Sequence, residues 1–91
     1  MSEKKTPRQI ERHIKGVANH RRIEILLLVG EQTGLTMEEI ATNLNCNFKT
    51  VSMHTQKLVQ AGLLNKKYVG RSVAHTLSPY GKILFRFIKS F

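Results

Sequence analysis

Two helical segments joined by a turn of only three residues restrict the fold of this chain more than any other part of its sequence. The first segment begins after Thr36, which is predicted as an N-cap, and Glu39 stands three residues later to complete a capping box. This helix is expected to end near Leu44, and a turn over residues 45–47 leads into a second amphipathic helix. So short a connection between two helices predicts a helix-turn-helix motif.

The second helix of this motif, predicted over about residues 47–61, has two chemically different sides. At 100° per residue, its inner side carries Phe48, Val51, Thr55, Leu58 and Val59. Its outer side has no carboxylate and carries Lys49, Met53, Gln56, Lys57 and Gln60. The outer side suits a partner with negative charge and hydrogen-bond acceptors, although a solvated basic helix would have the same composition.

The net charge of +9 is concentrated in the second half of the chain. Residues 1–46 carry seven Lys or Arg and all six Asp and Glu, whereas residues 47–91 carry eight Lys or Arg and no acid. A surface that serves only solubility mixes both signs, whereas a surface of one sign attracts polyanions. Nucleic acid is therefore the expected partner, with an anionic membrane surface as the second choice.

Three further helices are predicted from caps and apolar spacing. Thr6-Pro7 starts the first, whose narrow apolar stripe suits a partner helix and consists of Ile10, Ile14 and Val17. Asn19 caps the second, over residue 20 to about residue 31, and its apolar sequence places it at the centre of the fold. Ser78-Pro79 starts the last, with Phe85 outside a stripe formed by Tyr80, Ile83, Leu84, Phe87, Ile88 and Phe91.

A β-hairpin is predicted between the helix-turn-helix and the last helix. Gly62 is expected to end the preceding helix, and two strands follow over residues 64–68 and 72–77. Alternation predicts a half-buried face made of Leu64, Tyr68, Val73, His75 and Leu77. The predicted fold is mainly α with a small β-hairpin, in the order α-α-α-α-β-β-α. We expect one domain over residues 1–91, with a disordered N-terminus over about residues 1–5.

Four strings of residues carry a resemblance to a known family: Ala18-Asn19-His20-Arg21-Arg22-Ile23-Glu24-Ile25-Leu26, Met37-Glu38-Glu39-Ile40-Ala41, Val51-Ser52-Met53-His54 and Leu58-Val59-Gln60-Ala61-Gly62-Leu63-Leu64. Over about residues 8–90, the chain resembles the ArsR-type transcriptional repressors of bacteria and archaea. The resemblance implies a winged helix-turn-helix fold and a homodimer joined through its first and last helices. It also implies a recognition helix in the major groove and a wing, about residues 63–77, on flanking backbone or minor groove.

The chain departs from that family at two positions of the recognition helix. Family members often have leucine where this chain has Thr55, and often have arginine or another strong donor where it has Met53. Methionine can make only apolar contacts with a base. We therefore expect the helix to read sequence only modestly.

The residues expected to contact DNA lie on the recognition helix and the wing. Hydroxyl groups and amides at the start of the helix can bind phosphate, Gln56 can pair with adenine, and Lys57 with phosphate or guanine. For His54, a buried structural role and a DNA contact both remain open. The expected DNA-binding set is Lys49, Thr50, Ser52, Met53, His54, Gln56, Lys57, Lys66, Lys67 and Arg71. The expected dimer interface is Ile10, Ile14, Val17, Tyr80, Ile83, Leu84, Phe87, Ile88 and Phe91.

No metal site, cofactor or enzymatic activity is predicted. Classical metal sites of the family need a Cys-x-Cys pair or acidic and histidine ligands on the last helix, whereas this chain has only Cys46 and no such ligand in residues 78–91. Phosphate-binding glycine loops and nucleophile–base pairs are absent from the sequence as well. With no signal peptide and no long apolar run, the chain is expected to be cytoplasmic and not to contact a membrane.

The favoured interpretation is a sequence-specific regulator of transcription, and more specifically a repressor, that binds double-stranded DNA. One alternative is a winged-helix module that docks another protein through Tyr80, Phe87 and Phe91. A second alternative is a sequence-tolerant protein that binds chromatin or RNA.

Overall fold

The computed structural model describes residues 4–91, which form five helices and a three-stranded sheet. In chain order the elements are α1 (Pro7–Val17), α2 (His20–Glu31), β1 (Leu35–Thr36), α3 (Met37–Leu44), α4 (Phe48–Gln60), β2 (Leu64–Val69), β3 (Ser72–Leu77) and α5 (Pro79–Lys89). The winged helix-turn-helix fold is confirmed, with α3 and α4 as the helix-turn-helix and β2–β3 as the wing. Residues 1–3 of the predicted disordered N-terminus lie outside the described residues, whereas the Lys5 ammonium lies 4.2 Å from the Tyr80 ring centroid.

Local capping bonds explain why the helices begin where the sequence predicts. The Thr36 hydroxyl accepts from the Glu39 amide at 3.2 Å, and the Glu39 carboxylate accepts from the Thr36 amide at 2.8 Å. Thr6 and Gln9 form the same reciprocal box at the start of α1, and the Asn19 side chain caps α2. Because each cap satisfies amides that the helix itself leaves unbonded, these few residues determine the start of each helix.

The end of α4 fixes the position of the wing. Gly62, with φ of +75°, donates to the Val59 carbonyl, and Leu63 donates to the Leu58 carbonyl, both at 3.0 Å. These two bonds form a Schellman motif, which turns the chain directly into β2. The Ser78 amide and hydroxyl then donate to the carbonyls of Leu63 and Gly62, at 3.0 and 2.6 Å. Both ends of the wing are therefore tied to the C-terminus of the recognition helix.

A short strand that the sequence did not predict ties the wing to the start of α3. In β1, Leu35 pairs with His75 of β3 and Thr36 pairs with Ala74, giving an antiparallel sheet in the order β1-β3-β2. The Gly34 amide also donates to the His75 carbonyl at 2.9 Å. The helix-turn-helix is thus connected to the wing at both of its ends.

The hydrophobic core lies where α2 meets the other helices and the base of the wing. Its buried members are Val17, Ile25, Leu26, Val29, Leu35, Ile40, Ala41, Val51, Leu58, Ala61, Leu63 and Leu64. Phe85, placed outside the apolar stripe of the last helix, packs against Gly30, where a side chain would collide with its ring. The buried face of α2 therefore includes a glycine because an aromatic ring from α5 occupies that space.

Three burial predictions are wrong. Val17 is buried in the core of its own chain, so it is not available to a partner. Periodicity predicts inner faces for Phe48 and Tyr68, but they are 51% and 74% exposed. Phe48 is the first residue of α4, outside the packed part of the helix, and Tyr68 lies on a part of the wing that extends beyond the core.

Candidate nucleic-acid interface

The outer face of α4 carries the polar and basic side chains that the sequence assigned to it. Lys49, Met53, Gln56 and Lys57 are exposed, whereas Thr50 and Ser52 are half-buried beside them. Val51, Thr55 and Leu58 are buried on the opposite face. The helix therefore packs through one side and leaves a donor-rich side open to a partner.

The N-terminus of α4 is less available to phosphate than we expected. The Asn47 side chain accepts hydrogen bonds from the amides of Lys49 and Thr50, at 2.8 and 3.3 Å. A phosphate at this end would compete with that cap for the same amides. The Lys49 ammonium and the Thr50 hydroxyl are the groups that remain to bind it.

Two clefts separate the recognition helix from the wing, with volumes of about 260 and 230 Å³. Ser52 of α4 and Lys66 of β2 border both clefts, and Gln56 borders the larger one. Lys66 pairs across the sheet with His75, which is buried at the base of the wing. The face of the hairpin that carries Lys66 is therefore the face turned toward α4.

The basic side chains of the wing are exposed and project from a rigid hairpin. Lys66 and Lys67 lie on opposite faces of β2, because successive side chains of a strand alternate. Arg71 follows Gly70, which has φ of +62°, in a two-residue turn. Within residues 4–91, the three ion pairs all involve α1, α2 or α5. The cations of α4 and the wing therefore remain available for an anionic partner.

His54 is placed differently from the other predicted DNA contacts. Its side chain is only 8% exposed, and Nδ1 accepts a hydrogen bond from Arg22 Nε at 3.2 Å. Arg22 also donates through Nη1 to the Gly16 carbonyl at 3.3 Å. The structure therefore favours the structural role of the two that the sequence leaves open for His54, since its imidazole bonds Arg22 of α2, which in turn bonds the end of α1.

Burial lowers the pKa of His54 below its ordinary value of 6.5, and the positive charges of Arg22, His20 and Arg21 lower it further. The unfolded chain therefore takes up a proton at this position at a higher pH than the folded chain does. Stability that depends on the neutral ring is fully present above pH 6.5 and is lost as the pH falls through the lowered pKa.

We expect the free energy of unfolding to fall as the pH is lowered from 7.5 to 5.5, by at most about 1.4 kcal/mol per pH unit for one proton. Replacing His54 with glutamine should make this fall shallower, because the neutral amide takes up no proton. Denaturant unfolding of the wild type and of His54→Gln at both pH values measures the effect. An equal pH dependence in wild type and His54→Gln would contradict this role of the ring.

The predicted dimer residues separate into three groups in the structure. Ile10, Ile14, Tyr80, Ile83, Phe87 and Phe91 are exposed. Leu84 and Ile88 are half-buried against the core, and Val17 is buried. The exposed group lines an apolar surface formed by α1 and α5, and this surface remains a predicted dimer interface.

His13, which the sequence did not single out, is buried beneath that surface. Its ring stacks on Tyr80 with a centroid distance of 4.6 Å, and Nδ1 donates to the Ala61 carbonyl at 2.6 Å. Because Ala61 is the C-cap of α4, one histidine links the α1–α5 surface to the end of the recognition helix. This partner lies 48 residues away in sequence, so no local pattern could have revealed it.

Among residues 4–91, no group of three or more His, Cys, Asp or Glu side chains is arranged to hold a metal ion. Within the same range, no helix is both long and apolar enough to cross a membrane. Cys46 is half-buried in the turn between α3 and α4.

Comparisons with known proteins agree with this architecture. The model of the HVO_A0114 family matches residues 17–85. HlyU from Vibrio cholerae N16961 is 25% identical, with a TM-score of 0.85, and the match covers 97% of this chain and 96% of that one. No curated protein matches the chain in sequence.

Two structures from Mycobacterium bovis are also similar. One is described as the homodimeric winged helix-turn-helix DNA-binding domain of Mb0332, a possible ArsR-family transcriptional regulator. It is 27% identical, has a TM-score of 0.83, and the match covers 99% of this chain and 88% of that one. A fragment of a possible transcriptional regulatory protein is 30% identical, with a TM-score of 0.79, and the match covers 91% of this chain and 89% of that one.

Proposed function

This chain belongs to the HVO_A0114 family and is an ArsR-like winged helix-turn-helix regulator, and we propose that it represses transcription as a homodimer bound to double-stranded DNA. The observation that carries the proposal is the exposed basic surface shared by α4 and the wing. Lys57, Lys66, Lys67 and Arg71 are all exposed, and residues 47–91 contain no acid. A polyanion with a regular backbone is the partner that such a surface fits best.

In the proposed complex, α4 lies in the major groove and the wing lies on the flanking backbone or minor groove. Lys57 and the wing cations neutralise phosphates, which supplies most of the affinity. Lys49, Thr50, Ser52, Gln56 and Met53 supply the contacts to base edges and nearby phosphates. Met53 can contact a thymine methyl group but offers no donor, so we expect modest sequence preference.

The bonds between α4 and the wing make this two-part contact possible. Ser78 holds the wing against Gly62 and Leu63, while β1 holds it against the start of α3. The two DNA-facing elements are therefore presented as one unit. Little conformational freedom is then lost when both elements bind at once.

The exposed apolar surface of α1 and α5 is the proposed dimer interface. It leaves large side chains such as Ile83 and Phe87 in water, which a partner protomer would cover. Two copies related by a twofold axis would place two recognition helices in successive major grooves. The mechanism is then occlusion of a promoter in the cytoplasm, with no chemical step.

A comparison of two substitutions tests this division of roles. Arg71→Ala should weaken binding about equally on all DNA sequences, because a phosphate contact carries no base information. Gln56→Ala should instead change the preferred bases, with a discrimination loss of about 1–3 kcal/mol at the contacted position. Binding of both variants to DNA pools selected from random sequence measures the difference.

Two outcomes would count against the proposal. A loss of base preference in Arg71→Ala equal to that in Gln56→Ala would contradict the assigned roles. A wild-type chain that sediments as a monomer and fails to shift random duplex DNA at low salt would favour a protein-interaction module.

A further inference from the structure

Tyr68 is a large aromatic residue in a position that the folded core does not explain. Alternation along β2 places it on the same face as Leu64, which is buried, yet its own side chain is 74% exposed. The five residues from Leu64 to Tyr68, four steps along the strand, span about 13 Å. The ring therefore lies on the outer half of the wing, well beyond the core.

The orientation of that ring follows from the residues that share its face. Lys66, two residues earlier, borders the clefts beside Ser52 and Gln56 of the recognition helix. Val73, the cross-strand neighbour of Tyr68, borders the smaller of these clefts. Tyr68 therefore lies on the face of the wing that is turned toward α4. The clefts between α4 and the wing open on this side of the proposed DNA surface.

The surroundings of Tyr68 indicate which partner would cover it. Lys66 lies two residues earlier on the same face, Arg71 lies in the adjoining turn, and Glu38 of α3 is the one acid among residues 4–91 that borders the clefts on this side. A single exposed tyrosine is ordinary on a protein surface. An aromatic ring on the same side of the wing as Lys66 and close in sequence to Arg71, neither of which forms an ion pair within the described residues, fits a partner that combines phosphates with apolar sugar and base surfaces.

We propose that Tyr68 is a non-ionic DNA contact, with its ring packed against deoxyribose and base edges in the minor groove beside the wing. This inference rests on the proposed function. Aromatic rings gain from such contacts because sugars and bases present apolar faces between the charged phosphates. The minor groove presents few distinguishing base groups, so the contact responds to groove width more than to base identity.

The salt dependence of binding separates this contact from an ionic one. Tyr68→Ala should lower the affinity about tenfold at every salt concentration and leave the slope of log affinity against log salt unchanged. Tyr68→Phe should bind within about threefold of wild type, because the ring is retained. Lys67→Ala, the adjacent ionic control, should make the slope shallower by about 2 for a dimer, since two phosphate contacts are lost.

The tyrosine content of the chain provides a second measurement. The chain has two tyrosines and no tryptophan, so in the variant Tyr80→Phe the intrinsic fluorescence comes almost entirely from Tyr68. Adding random duplex DNA should change the Tyr68 emission, after correction for DNA absorbance, and should protect the ring from acrylamide. In the matched variant Tyr68→Phe, emission then comes from Tyr80 on the α1–α5 surface and should not change with DNA at protein concentrations where the chain is already a dimer.

The outcomes distinguish failure of the inference from failure of the proposed function. If the wild-type protein does not bind duplex DNA at low salt, both the proposed function and the inference about Tyr68 fail. Wild-type protein that binds, with Tyr68→Ala equal to it and Tyr68 still open to acrylamide in the complex, overturns the inference alone. A tenfold loss accompanied by a shallower slope would also overturn it, because the ring would then be positioning a cation.

Discussion

Replacing Lys57, Lys66, Lys67 and Arg71 together with glutamine is expected to lower the affinity for random duplex DNA by at least about 10⁴-fold at 50 mM salt. All four side chains are exposed on α4 or the wing. If they neutralise roughly eight phosphates per dimer, log affinity falls against log salt with a slope of about −7. When the salt is lowered from 200 to 50 mM, the affinity of the wild type then rises about 10⁴-fold, whereas the affinity of the variant rises only slightly.

A matched control variant distinguishes this effect from a general effect of net charge. Arg8, Lys15, Lys82 and Lys89 are exposed on α1 and α5, and their replacement with glutamine removes the same three lysines and one arginine. We expect that control to retain most of the wild-type slope. Equal losses in the two variants would mean that net charge, rather than the placement of cations on α4 and the wing, drives binding.

Replacing Phe87 with glutamate is expected to convert the protein to a monomer and to weaken binding to a two-site DNA by about 10²–10⁴-fold. Phe87 is exposed on the α1–α5 surface, where a partner protomer would bury it. Burying an unpaired carboxylate in an apolar interface is strongly unfavourable, so the dimer dissociates. The second half-site then no longer binds at a high effective concentration, and the salt slope falls to about half.

Sedimentation measures the association state, and a salt titration of the same sample measures the slope. Lys82→Gln is the matched control, because it shifts the charge of α5 by the same single unit away from the apolar face. It should remain dimeric. A Phe87→Glu protein that is still a dimer and still binds like wild type would place the dimer interface elsewhere.

The sequence predicted well those features that are determined within a few residues. The caps at Thr6, Asn19 and Thr36 and the glycine at 62 each act through hydrogen bonds between residues two to five positions apart, so their positions are readable from the chain itself. The outer face of α4 was also predicted correctly, since 3.6-residue periodicity depends only on the helix.

The features that were missed depend on residues far apart in sequence. β1 contains two residues and exists because Leu35 pairs with His75, forty residues later. Tyr68 fits the alternation of a buried face, but alternation does not indicate how far a hairpin extends beyond the core. The sequence leaves two roles open for His54, because the hydrogen bond that its ring accepts from Arg22 of α2 joins residues 32 positions apart.

The site shows the same division between local and distant information. Lys49, Gln56, Lys57 and the wing cations were identified from charge and periodicity, and the structure leaves them exposed. The sequence did not predict the two clefts that Ser52 and Lys66 both border. Their shape depends on how Ser78 anchors the wing to the end of α4. Charge patterning therefore predicted which residues are exposed, and tertiary hydrogen bonds determine how those residues are arranged.

The central claim is that cations on α4 and the wing bind DNA phosphates, and the affinity of the wild-type protein for random duplex DNA, measured from 50 to 200 mM salt, tests it most directly. The claim predicts a linear decrease of log affinity with log salt and a slope of about −7. An affinity that barely changes over this range would contradict it.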